Sequence, residues 1–439
     1  MLRQLSATLA LCCYSWGALA QPASLYDVFA EALEADPRVK IAQHKVEMGK
    51  AQQDSAFGAL FPQANFTAQF SDNDVEYDTD LVDDQSYNGE RYSVQVRQML
   101  FNWSTLSTRA RAEQVVAQRE SELLDVFSMM LVDVSARYFQ VLLADGGVEL
   151  LRAEQKLVQQ QLLETEELYK RKLVRVTDYL ETQARVDKVR TDLIEAENEA
   201  ALAREELSAL TGNSVGDLVP IRKDFTLPAL EHTMEYWTEL SMSNNALLAS
   251  KREAVLAAQE TVQQQKGGHY PTFDLVLSAQ RSDVGYDNQT SPQRDTEYIG
   301  VDINVPLFAG GSTSARVRGA WSEYYMAREE EEGARREVLK LTRGAWLNTQ
   351  SSRKRIDSAA LSVKSATKSY EAMSKSFSYG TVKASDVLAA LHIRTRAERD
   401  YQIALYTYLV NWLQLKRQGG SLQADDLQQL NDSMMGGNS

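Results

Sequence analysis

The chain has 439 residues and a formal net charge of −14 at pH 7. Such acidity argues against nucleic acid as a partner, since phosphate binding needs a basic face. The mean hydropathy of −0.39 excludes a bundle of membrane helices. Neither excludes a β-barrel, whose strands are short and apolar on one face only.

Residues 1–20 read as a cleaved secretory signal. Arg3 gives a positive start, Leu5 to Leu11 an apolar centre, and Ala18-Leu19-Ala20 a small-residue cleavage pattern. The mature chain then starts at Gln21, and loss of Arg3 takes the charge from −14 to −15. Cys12 and Cys13 leave with the signal, so the mature chain folds without disulfides. Acylation at Cys12 is the alternative, but Leu11 stands where lipid attachment needs a small residue.

Next comes a unit at 21–220 that reads helix, strand, loop, strand, very long helix, sharp turn, returning helix. In the strand near 62–71, Ala64, Phe66, Ala68 and Phe70 alternate with Gln63, Asn65, Thr67 and Gln69. In the strand near 91–101, Tyr92, Val94 and Val96 alternate with Ser93, Gln95 and Arg97. Period two means one apolar face and one polar face. Between them lie eight acids, from Asp72 to Glu90, with no Lys or Arg. The ordered glycine and closing glutamate of an EF-hand are absent, so this reads as a solvated acidic loop. From Ser104 to about Lys172 there is no proline, enough helix to span roughly 100 Å. Its far part shows heptad spacing at Val148, Leu151, Val158, Leu162 and Tyr169, with Gln155 and Thr165 as exceptions. A sustained pattern of this kind means helices packed as coiled coils.

A linker at 221–230, preceded by Pro220 and containing Pro228, leads to the same order again over 231–430. Leu60-Phe61-Pro62 matches His269-Tyr270-Pro271, and Val94, Val96, Leu100 and Phe101 match Val301, Ile303, Leu307 and Phe308. Thr177 to Leu180 matches Ser385 to Leu388, and Asp36-Pro37 falls opposite Asn244-Asn245. The offsets are 209, 207, 208 and 208, which makes the chain a tandem duplication. Strands are expected near 271–281 and 297–308, with Val276 breaking the alternation. Pro306 should stop the ladder, and Gly310-Gly311 should free the backbone to turn into a helix. In that helix Ile356, Val363, Tyr370 and Phe377 stand seven apart. The run Arg328 to Glu337 reads as a solvated face with Glu–Arg pairs. Residues 431–439 are left as a flexible tail.

The expected fold class is therefore mainly α with β-barrel strands, in an internally duplicated chain. Four strands leave two open edges and cannot close a barrel. Lipid tolerates no open edge, so several chains must pool their strands. Two chains would give eight, three twelve, four sixteen. Helices of ~100 Å exceed the ~30 Å core of a bilayer and must project into water on one side. A barrel continued by a helical tube meets both demands.

These features carry a resemblance. The chain resembles TolC-type outer-membrane channel proteins along essentially all of its mature length. The matching stretches are LFPQANFTAQFS and HYPTFDLVLSAQ, the PLFAGG strand-to-helix junction, YGTVKASDVLAAL at 379–391, and YLVNWLQLKRQGGSLQADDLQQLN at 408–431. The resemblance implies a homotrimer, with a twelve-stranded barrel in the outer membrane of a Gram-negative cell and a coiled-coil α-barrel in the periplasm. It implies an exit duct for drug efflux and type I protein secretion. Its partners would be a periplasmic adaptor, an inner-membrane RND, MFS or ABC transporter, and outer-membrane lipid. It implies no cofactor and no resident metal, only divalent or trivalent ions that block flow at the entrance.

The resemblance also marks the tips of the two hairpins, Arg171 to Asp178 and Tyr379 to Asp386, as the periplasmic entrance. Asp386 falls on a position that forms an acidic constriction ring, where three copies would favour cations. The family's second ring acid is Ala389 here. Asp178 falls on a gate position whose usual partners are a tyrosine and an arginine, here Phe377 and Val382. Lys383, next door, is the substitute partner for Asp178. Alternatively Asp178 and Asp386 only cap their helices.

A coiled-coil spacer of the cell envelope is the alternative function. It needs no set of four half-polar strands. An enzyme is the third reading, and the residues argue against it. His44, His232, His269 and His392 show no metal-ligand spacing, and no nucleophile motif or phosphate loop is present.

Overall fold

The structure is a computed structural model that describes residues 22–435, except 79–80, 82, 223–224 and 284–291. The signal segment 1–20, Asp80 and residues 436–439 lie outside the described residues. The first half runs α1 (Leu25–Ala35), α2 (Pro37–Gly58), β1 (Gln63–Val75), β2 (Gln85–Phe101), α3 (Trp103–Lys170) and α4 (Val176–Thr211). The second runs α5 (Met234–Asn244), α6 (Ala246–Lys266), a short 3-10 turn (Gly267–His269), β3 (Thr272–Ser282), β4 (Arg294–Asn304), α7 (Ser312–Ser378) and α8 (Ala384–Gln418). Helix α9 (Ala424–Met435) follows. Equivalent helices match closely in length: 68 and 67 residues for α3 and α7, 36 and 35 for α4 and α8.

Two helices, not one, precede each hairpin. Asp36 ends α1 and caps α2, its carboxylate accepting from the Arg38 N–H at 2.8 Å, with Pro37 at the first helical position. Proline there loses no hydrogen bond, because the first turn has no carbonyl to meet its nitrogen. Asn245 makes the equivalent corner, accepting from the Leu248 N–H at 3.1 Å. The expected tail is corrected too. Asn431 to Met435 complete α9, where Leu427, Leu430 and Met434 are buried.

The four strands form one antiparallel sheet in the order β1-β2-β3-β4. The central pair joins the two halves, Val96 facing Leu277 and Arg97 facing Val276. β1 and β4 are therefore open edges. The first-half strands are longer than expected, because the β1–β2 ladder continues to Val75 and Gln85. Several acids of the supposed loop thus ride on a strand extension. The last strand is shorter than expected. Its ladder ends where Asn304 pairs with Thr272, just before Pro306 and just after Pro271. Neither proline has an N–H to extend it.

The main apolar core lies far from the sheet. It gathers Leu25 and Phe29 of α1, Leu131, Val134, Tyr138 and Phe139 of α3, Leu207 of α4, Tyr408, Leu409 and Leu413 of α8, and Leu427 of α9. The α3 residues sit roughly 40–60 Å below the strand end. This core explains why one stretch of α3 is apolar enough to resemble a membrane span. Smaller clusters continue toward the tips, including Val148 with Ala196 and Ala200, and Val158 with Val189, Leu388 and Leu391. Thr165, an exception in the heptad pattern, is fully buried, and its hydroxyl donates to the Gln161 carbonyl at 2.8 Å. A threonine thus satisfies its polar group locally and fills a core position.

Candidate functional site

Strand parity gives the sheet two chemically distinct faces. One face carries Phe66, Phe70, Val94, Ile299, Val301 and Ile303, all exposed. On it Phe70 meets Tyr92 edge-on at 5.7 Å, and Phe101 meets Phe273 at 6.0 Å. The other face carries Gln95, Arg97, Asp274, Ser278, Asp302 and Asn304, with Arg97 bonded to Asp274 at 3.3 Å. An apolar exterior and a charged interior suit a sheet that separates lipid from water. Val276 shares the polar face yet is buried. It pairs with Gly300, beside which the Tyr298 hydroxyl lies where a Cβ would be, 2.1 Å away. The glycine leaves the tyrosine ring room along the wall.

The strand-to-helix junction rests on different residues in the two halves. Gly310 and Gly311 adopt φ of 58° and 80°, which side chains disfavour. In the first half Asn102 does the same work in an extended conformation, accepting from the Thr105 N–H at 3.3 Å. A second glycine pair, Gly267-Gly268, was not singled out in the sequence. A Cβ on Gly267 would meet the Ser104 nitrogen at 2.6 Å, and one on Gly268 the Thr313 methyl at 2.9 Å. These glycines let the turn after α6 press against the first turns of both α3 and α7. The signal available was the doublet itself, directly before the HYP strand entry.

At the far end each hairpin closes with the same backbone device. The Leu173 N–H donates to the Leu168 carbonyl at 2.9 Å, and the Lys172 N–H to Tyr169 at 2.8 Å. In the second hairpin Thr381 N–H donates to Ser376 at 3.1 Å, and Gly380 N–H to Phe377 at 2.8 Å. These bonds satisfy carbonyls left over at a helix end. The left-handed residue they require is Gly380 at φ 72° in one tip and Lys172 at φ 59° in the other.

Both candidate aspartates occupy the third position of their helices. Asp178 accepts from the Arg175 N–H at 3.4 Å and Asp386 from the Lys383 N–H at 3.1 Å. The capping role is thus present in both. Asp386 and Ala389 are exposed, on the side of α8 away from buried Val387, Leu388, Ala390 and Leu391. Among the described residues no ion pair joins Lys383 to Asp178 within the chain. What ties the first tip instead is aromatic: Tyr169 stacks on Tyr179, centroids 5.5 Å apart and planes 10° apart. No group of three or more metal-ligating side chains occurs among the described residues.

This geometry agrees with known proteins. The outer membrane efflux protein family matches residues 28–213 and 237–421, one segment per half. The alkaline protease secretion protein AprF of Pseudomonas aeruginosa is 28% identical over 412 residues, covering 92% of this chain and 86% of that protein. The outer membrane protein TolC of Vibrio cholerae is 28% identical over 422 residues, 93% of each chain. Among solved structures, CusC superposes with a TM-score of 0.80 at 16% identity, over 92% of this chain and 96% of that one. The open state of the Neisseria gonorrhoeae MtrE outer membrane channel gives 0.78 at 17%, over 91% and 90%. With a two-faced sheet, two matched hairpins and a family match over both halves, the chain belongs to the outer membrane efflux protein family.

Proposed function

We propose that this protein is a passive outer-membrane exit duct that serves tripartite efflux, type I protein secretion, or both, and that three chains build it. The observation that carries the reading is one four-stranded sheet with two open edges, continuous with helices of ~100 Å. Three such sheets close a twelve-stranded barrel, and six hairpins extend it as a tube across the periplasm. A periplasmic adaptor and an inner-membrane RND, MFS or ABC transporter complete the path and supply the energy. The duct itself has no catalytic role. Relatives named for protease secretion, AprF and PrtF of Dickeya chrysanthemi, support protein cargo. An envelope spacer would have no use for Arg97, Asp274 and Asp302 on one face of a sheet.

Asp386, exposed at the tip, is read as the selectivity residue of the entrance, three copies forming an acidic ring. Asp178 and Lys383 are read as gate residues that bond neighbouring helices at the entrance. Deletion of the protein separates the cargo classes: sensitivity to detergents and hydrophobic drugs marks efflux, and loss of a large exported protein marks secretion. Native mass of the detergent-extracted protein should give three chains, and a monomer would overturn the barrel. Asp386→Ala should lower cation selectivity and metal block in a planar bilayer; an unchanged reversal potential would remove it from the entrance.

A further inference from the structure

Within one chain α3 and α8 pack on each other, α4 lies on α3, and α7 lies on α8. The protomer therefore has two flanks, α4 and the lower half of α7, with bare outer faces. Helix α4 turns Thr182, Val189 and Ala196 inward, and α7 turns Ile356 and Ala366 inward. Two residues along a helix is about 200°, so side chains two places from these point outward. On α4 they are Leu180, Asp187 and Ile194, seven apart. On α7 they are Lys354 and Lys368, with Leu361 and Lys375 on the same seven-residue stripe. All are exposed, Ile194 to 60% and Leu361 to 65%.

We propose that these two faces form one seam: α7 of one copy docks on α4 of the next, with Leu361 against Ile194 and Lys368 beside Asp187. The inference rests on the proposed trimer, in which six hairpins close a tube and each α7 flank must meet an α4 flank. Charge favours that meeting. Helix α4 carries nine acids against four bases, and Arg353 to Ser378 of α7 carries six bases against two acids. Asp187, Lys354, Lys368 and Lys375 have no ion-pair partner among the described residues, so they can pair across the seam.

Height decides the register. Leu180, Asp187 and Ile194 stand 4, 11 and 18 residues from the tip end of α4 at Val176. Lys375, Lys368 and Leu361 stand 3, 10 and 17 residues from the tip end of α7 at Ser378. The two tips are level within the chain. Arg185 and His392, nine and eight residues from the tip ends of α4 and α8, approach to 2.7 Å. Rotation about the tube axis leaves height unchanged, so the same levels hold between copies. Each pair is then matched to within one residue, ~1.5 Å. At the lowest level the stem of Lys375 covers Leu180 while its ammonium reaches water. A seam that joins two different faces of identical chains closes into a ring, here after three copies.

Beyond Cys13 the chain has no cysteine, so introduced thiols stand alone there. The test applies a short thiol-to-thiol cross-linker to the full-length protein in membranes and reads denaturing gels. Native mass of the detergent-extracted protein is read on every variant. Ile194→Cys with Leu361→Cys, and separately Asp187→Cys with Lys368→Cys, should give a ladder of two and three chains. Loss of one exposed ion pair in the second variant is too small a change to dissolve the trimer. Asp187→Cys with Lys354→Cys, about 13 residues or ~20 Å out of level, should give no ladder. Chains with Ile194→Cys alone, made together with chains with Leu361→Cys alone, should link in pairs, which an intrachain contact cannot do. Intact trimers with no ladder from either matched pair would overturn the seam and leave the three-chain reading standing. A mismatched pair that links as well as a matched one would overturn the register. A bulky water-soluble thiol reagent that labels Ile194→Cys in the intact trimer would show a face left open to a periplasmic partner or to cargo, and would overturn the seam as well. A monomeric native chain would remove seam and trimer together.

Discussion

The two halves of the chain trace the same path with different residues at most corners. Asp36 caps α2 as a carboxylate, and Asn245 caps α6 as an amide. Asn102 opens α3 in an extended conformation, and Gly311 opens α7 in a left-handed one. Lys172 and Gly380 take the same turn at the two tips. What the duplication has kept is backbone geometry. What it has let vary is the way each corner satisfies its free N–H and C=O groups. The architecture therefore rests on hydrogen-bond accounting and helix length, and no single residue type is required at a corner.

Exchanging the capping residues should break the equivalence most. Asn245 is buried, and its Nδ2 donates to the Gln418 carbonyl at 3.0 Å. Asn245→Asp turns that donor into an acceptor and should cost about 2–3 kcal/mol at neutral pH. The cost should shrink on acidification, because a protonated acid can donate again. Asp36 runs the other way. Burial works against its charge, yet the Arg38 side chain and backbone N–H hold its carboxyl below the usual range. Its contribution is present above the ordinary carboxylate pKa and is lost as pH falls through the lowered one. Asp36→Asn should cost about 1–2 kcal/mol near neutrality and flatten that acid loss. Urea unfolding at several pH values reads both signs.

A second comparison concerns Tyr138 and the residue 208 positions on, Trp346. The Tyr138 hydroxyl donates to the Val219 carbonyl at 2.8 Å, tying the segment just before the linker to the main core, and burial pushes its pKa up. Trp346 Nε1 is buried and finds no acceptor among the described residues. Tyr138→Phe should therefore lose about 1–2 kcal/mol, while Trp346→Phe should change stability by less than about 1 kcal/mol. Equal losses in denaturant titrations would show that the two positions are equivalent after all. The smallest effects are expected at the tips. Gly380→Ala should lose about 1 kcal/mol, and Lys172→Gly should be neutral or gain by up to about 1 kcal/mol, read as hydrogen exchange in the turns.

Much of this fold was legible because period and repeat are written locally. Alternating residues at 63–70 and 92–97 gave the strands, and one offset gave the duplication. Helix corners at Asp36 and Asn245 were harder, since apolar periodicity continues through them. The length of β1 and β2 was missed because acids on a solvated strand extension look like loop. The ends of α9 escaped because its burial depends on α1 and the main core. Candidate site residues were legible only through resemblance. Arg185 and His392 stand 207 positions apart, almost one repeat, so near-equivalent positions meet across the duplication. No spacing rule announces such a pair, and His392 looked like one of four scattered histidines.

The two open edges, β1 and β4, also govern how the molecule comes into being. A lone chain presents two adhesive strand edges and an apolar sheet face, and has no way to bury either by itself. The helical body can fold as each chain arrives, since its core is internal. The barrel cannot, because its closure is a meeting of chains. Assembly should therefore follow a steep power of protomer concentration, and scarce chains should wait in the periplasm, folded below and adhesive above, as prey for chaperones and proteases.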